Sequence, residues 1–196
     1  MFTPENYDKV AAGNYMKFND GVNKIRFMGE PITGYIYWVD KDGVVVGRNE
    51  LSGEGGRPVR SPTYEGLDIE QYANMRPFAA AVVWNYDLDK LQILEIKQAS
   101  IMKGLEALAS SKSWGDITGY DVLITKVRTG PEVKNVDYSV MPEPKSPLSD
   151  KAVDMYKKAN INLKALYEGE DPFSSGDVVE HVDLSDVEVR RPNVKS

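Results

Sequence analysis

The stretch VVWNYDLDKLQILEIK, residues 82–97, holds two apolar runs on either side of a short acidic turn. Runs of this length, rich in β-branched and aromatic residues and separated by Asn and Asp, read as the two arms of a hairpin. The first arm extends upstream through PFAAAV. The sequence right behind the second arm, ASIMKGLEALASS (residues 99–111), changes period: Ile101, Leu105 and Leu108 recur at i, i+4 and i+7 and mark one helical face. Gly104 costs such a helix ~1 kcal/mol relative to alanine, which predicts a close backbone approach at that point.

Working upstream, GVNKIRFMG (21–29) alternates Lys24 and Arg26 with Ile25 and Phe27, so it reads as a half-buried strand with two cations on its open face. GYIYWVDKDGVVVG (34–47) is a second hairpin, turning at Asp-Lys-Asp-Gly. Residues 48–76 lose all periodicity and read as a long loop carrying Arg48, Arg57, Arg60 and Arg76. Downstream of the helix, YDVLITKVR (120–128) and VDYSVMP (136–142) read as a closing strand pair. A proline-rich exit follows, then a short helix from 150 to 166 capped by Ser149, then an acidic tail.

This order is strand, hairpin, loop, hairpin, helix, strand, strand. It predicts a mainly β fold, a five-stranded Greek-key OB-fold barrel with one helix between its third and fourth strands. The expected domains are a barrel over 1–148, a short helix over 149–166 and a disordered tail over 167–196. An unrelated α+β roll has the same order of elements.

Composition narrows the function. The 196 residues include no cysteine and one histidine, His181, so disulfides, thiolate zinc sites and multi-histidine metal sites are not expected. The lack of cysteine fits a reducing cytoplasm. No apolar run is long enough to span a bilayer, and MFTPENYDKV does not resemble a secretory signal. The net charge of −6 is unevenly placed: residues 1–164 hold 21 basic and 22 acidic side chains, whereas 165–189 hold eight acids and no base. The body is therefore close to neutral and free to present a basic face, despite the acidic total.

Single-stranded nucleic acid is bound by stacking bases on aromatic rings while cations follow the phosphates. Candidate stacking residues are Tyr35, Tyr37 and Trp38 in the first hairpin and Trp84 and Tyr86 in the second. On a strand, Tyr35 and Tyr37 share one face and Ile36 and Trp38 the other, so one pair is exposed; Trp84 reads equally as core. Candidate phosphate contacts are Lys24, Arg26, Arg57, Arg60, Lys126 and Arg128. An enzymatic alternative is a Mg²⁺-dependent nuclease using Glu95 and Lys97 with Asp87 and Asp89. Their displacement along the hairpin, ~3.3 Å per residue, makes convergence on one metal awkward. A third reading is a protein-binding module built on an OB-like barrel.

YMKFNDGVNKIRF, GYIYW, RPFAAAVVWNYDLDKLQILEIKQASIMKGLEAL, WGDITGYDVLIT and YSVMPEPKSPL together resemble a tailed-phage single-stranded DNA-binding protein of the replication and recombination type. The resemblance covers roughly residues 15–148. It implies a non-enzymatic OB-fold protein without a cofactor, acting in the host cytoplasm on single-stranded DNA. It also implies an acidic tail that recruits replication or recombination partners. The chain departs from that pattern in three ways: no cysteine for a zinc module, 23 residues after the Phe of GEDPF, and no basic amino-terminal arm.

Overall fold

The hairpin forms as its sequence requires. In the computed structural model, which describes residues 13–46, 56–63 and 75–173, β5 (Arg76–Asn85) and β6 (Lys90–Ile96) pair antiparallel from Ala79–Ile96 to Asn85–Lys90. The turn between them ends on Asp89 at φ 51°, a left-handed conformation that Asp tolerates better than most residues. The remaining strands are β1 (Gly21–Phe27), β2 (Ile32–Val39), β3 (Val45–Val46), β4 (Arg57–Ser61), β7 (Asp121–Arg128) and β8 (Val136–Pro142). Helix α1 (Ala99–Ala109) follows β6, and α2 (Asp150–Ala159) follows β8. Among the described residues, no helix is long and apolar enough to cross a membrane.

The eight strands make one mainly antiparallel sheet. One edge of β5 pairs with β6; the other is shared end to end by β2, against residues 76–80, and β1, against residues 83–85. β1 continues to β7 and β7 to β8, while β2 carries β4 and the short β3. The sheet curls without closing, because β6 and β8 do not pair. Residues 14–18 bridge them instead. The Met16 amide donates to the Ile93 carbonyl, the Ile93 amide donates to Asn14, and the Phe18 ring lies 5.5 Å from that of Tyr138. Buried Gln92, tied to Asn85 at 2.9 Å, hooks this segment in place by donating to the Gly13 and Tyr15 carbonyls.

The run FAAAVVW lacks alternation because β5 is covered on both faces. On the inner face Ala81 and Val83 join Ile25, Phe27, Leu94, Ile96, Val122 and Ile124, capped by Ile101 of α1 and by Tyr120. On the outer face Phe78, Ala80, Val82 and Trp84 lie beneath Leu166 and Ala152. Gly104 sits where expected: a Cβ there would come 2.8 Å from Cβ of Val140 on β8.

Three expectations need revision. The stretch 48–76 is not all loop, since residues 57–61 form β4 in register with β2 (the rest of that stretch, apart from 56, 62–63 and 75–76, lies outside the described residues). The helix expected over 150–166 stops at Ala159, where Asn160 turns left-handed at φ 46°; a separate 3₁₀ turn, Leu163–Glu168, follows. Packing also runs past 167, because Tyr167 donates to the Thr33 carbonyl at 2.7 Å and Pro172 is buried. The remainder of the acidic tail, 174–196, lies outside the described residues.

Candidate nucleic-acid interface

Most of the cations singled out from the sequence are committed to carboxylates. Arg26 is the clearest case. Its register partner across β1 and β7 is Asp121, and its Nη1 donates to Asp121 Oδ1 at 3.0 Å. Its Nε donates to the Thr118 carbonyl and its Nη2 to that of Ser146, both at 2.7 Å, which pins the proline-rich exit to the sheet. At 3% exposure Arg26 is not available to a phosphate, contrary to the open-face expectation. Lys24 bridges Asp121 at 3.2 Å and Glu143 at 2.6 Å, with its ammonium 4.9 Å from the Tyr86 ring centre.

Tyr86 belongs to the same group, its hydroxyl donating to Asp121 at 2.8 Å. Burial, reinforced by that hydrogen bond, pushes the Tyr86 hydroxyl up to about 12. Burial pulls the Asp121 carboxyl upward, but bonds from Tyr86, Arg26 and Lys24 outweigh it and the group ends below the ordinary carboxylate value. The arrangement locks β1, β5 and β7 together. It is structural chemistry rather than a ligand site.

Lys126 and Arg128 lie at the end of β7 beyond buried Tyr120, Val122 and Ile124, as the sequence predicts. Both bind Asp20, at 3.3 and 2.8 Å. Trp84 is 1% exposed in the outer core with the Lys151 ammonium 5.8 Å from its ring, so neither ring face is offered to a base. Ile36 is buried, and Trp38 packs half-buried beside it.

The β2–β4 ribbon is different. Register pairs Tyr35 with Ser61, Tyr37 with Val59 and Val39 with Arg57, so half-buried Tyr35 and Tyr37 share one face with exposed Arg57. A cavity of about 470 Å³ opens beside Tyr35, walled by Phe78, Pro62 and Pro77 and by Met102 and Leu105 of α1. Close packing sets the ribbon: a Cβ on Gly34 would fall 2.3 Å from the Ser61 carbonyl oxygen, so only glycine fits. Arg57 and Arg60, three apart on a strand, point to opposite faces.

On that opposite face, Arg60 Nη2 donates to both oxygens of Glu95, at 2.8 and 3.0 Å, and Lys97 reaches Glu95 at 3.3 Å. The nuclease alternative places Glu95 and Lys97 together, but both act as ion-pair partners there. Asp89 pairs with Lys151 of α2, and no three His, Cys, Asp or Glu side chains among the described residues are grouped to hold a metal. Tyr15, which sequence reasoning passed over, lines a cleft together with Arg60, Glu95 and Lys97. Its signal lay in NYMKF, where Met16 and Phe18 alternate with Tyr15 and Lys17.

No protein-family model, no curated protein and no solved structure matches this chain.

Proposed function

We propose that the protein binds single-stranded DNA with little sequence preference along the β2–β4 ribbon, as a coating protein rather than an enzyme. The observation that carries this reading is the register that sets Tyr35 and Tyr37 on one face with Arg57 at an exposed sheet edge. Two rings two residues apart on a strand lie ~6.6 Å from each other, a spacing over which successive unstacked bases can be taken up. The strand order supports the reading further: it is compatible with an opened OB-type barrel in which β6 and β8 would be the third and fifth strands, with residues 14–18 lying between them. One topology hosts many activities, so the side chains of the ribbon and not the strand order carry the reading. A phage replication or recombination setting, with the acidic residues beyond 173 recruiting partner proteins, is the biological context this proposal adopts from the resemblance.

The test is titration of fluorophore-labelled oligo(dT) with the protein at low and high salt, read by fluorescence anisotropy. Salt-sensitive binding is expected, with affinity falling by ~0.7 log units per log salt for each phosphate neutralised. Tyr37→Ala should weaken binding by ~1–3 kcal/mol, the contribution of one stacked base. No anisotropy rise at low salt would reject DNA coating and favour a protein-binding module.

A further inference from the structure

The cleft on the other side of β4, about 550 Å³, contains an unexplained donor. Arg60 holds Glu95 through Nη2 alone, and its Nε is buried with no hydrogen-bond partner. Buried donors in native proteins are paired in all but a few cases, so an orphaned guanidinium nitrogen in a cleft wall points to a missing acceptor. The charged groups lining the cleft are Lys17, Arg60 and Lys97 against Glu95 and Glu170, which leaves one positive charge in excess. Gln98, also in the wall, is the N-cap of α1 and makes no side-chain cap bond, so the partial positive end of that helix lies at the same corner. Tyr15, 39% exposed, supplies a ring beside the cations.

We propose that this cleft is a phosphate subsite in which Arg60 exchanges its Glu95 partner for a phosphate oxygen, with Lys97 and Lys17 beside it and the Tyr15 ring available to a base. Glu95 is the resident stand-in. It keeps the guanidinium aimed and neutralised in the free protein and must be displaced by the incoming anion. The site deepens the single-strand reading and rests on it: Arg57 on one face of β4 and Arg60 on the other would let a strand pass around the sheet edge.

The experiment compares wild type, Glu95→Gln and Arg60→Gln as full chains titrated with oligo(dT), and follows the Arg60 Nε–H NMR signal against inorganic phosphate. Removing the competing carboxylate should tighten oligo(dT) binding several-fold, an outcome that damage to the fold does not produce. Arg60→Gln should weaken it about tenfold, the size of one charge-assisted hydrogen bond. If wild type binds oligo(dT) but Glu95→Gln binds no tighter, the subsite is wrong and the DNA reading stands. If wild type does not bind oligo(dT), the DNA reading fails; a saturable Nε–H shift with inorganic phosphate then keeps the site as one for free phosphate, and no shift overturns it.

Discussion

Arg26 and Asp121 face each other directly across the β1–β7 ladder, 3.0 Å apart, and both are buried. A buried pair of this kind adds little over an apolar pair of the same shape, but removing Arg26 leaves Asp121 to Lys24 and Tyr86 alone and takes the donor from the Thr118 and Ser146 carbonyls. Arg26→Met is therefore expected to cost ~1–3 kcal/mol, the penalty of buried groups left without a partner, read from the denaturation midpoint in urea. The salt slope of any DNA binding should not move. A lower slope with unchanged stability would mean that Arg26 reaches phosphate after all.

Tyr86 couples both ends of the pH scale through Asp121. With its folded value raised to about 12 against ~10 in the unfolded chain, Tyr86 contributes stability that is intact below pH ~10 and lost on rising towards 12. Asp121, depressed in the fold, contributes stability that is present above pH ~4 and lost as pH falls through its folded value. Tyr86→Phe removes one of the bonds that hold Asp121 down. Urea midpoints measured across pH should show a shallower alkaline loss and an acid limb shifted to higher pH. An unchanged acid limb would separate the two residues.

The contact between Gly104 and Val140 sets how closely α1 lies on β8. Gly104→Ala gains ~1 kcal/mol of helix propensity but forces a carbon into a 2.8 Å gap, and overpacking of this kind costs ~1–3 kcal/mol. Net destabilisation is expected. In a double-mutant cycle, Val140→Gly should relieve part of it, so the two changes cost less together than their sum. Strict additivity would show that the helix adjusts elsewhere.

Leu166 and its neighbours cover the outer face of β5. Leu166→Ala should cost ~2–5 kcal/mol in thermal or urea unfolding, as expected for a buried leucine. A chain ended after Leu163 should lose this cover, whereas one ended at Phe173 retains the contacts made by Tyr167 and Pro172. Equal midpoints for those two chains would contradict the role given to this segment.

The strands that alternate, or that flank a clear turn, were legible in the sequence, as were the helix behind β6 and the meaning of Gly104. β4 was not, because RPVRS has one apolar residue and a proline; its identity comes from pairing with β2, a contact that local pattern does not encode. Arg26 misled for a related reason. Alternation separates two faces of a strand but does not say whether the polar face meets water or a buried carboxylate, and Asp121 is 95 residues away. Trp84 was ambiguous on the same grounds, and α2 decided it. Arg57 and Arg60 were grouped as one loop cluster, yet strand geometry sends them to opposite sides, where one shares a face with Tyr35 and Tyr37 and the other lines a cleft with Tyr15.

Residues 14–18 span the gap between β6 and β8 without adding a full strand to the open sheet. Two main-chain bonds fasten them to Ile93, and only side chains reach across to Tyr138. A sheet spanned in this way has a seam: the segment can lift off while every ladder stays intact, and the amide of Ile93 would then exchange with deuterium ahead of its neighbours on β6. The molecule thus has a built-in place to open, one strand away from β5, which is covered on both faces.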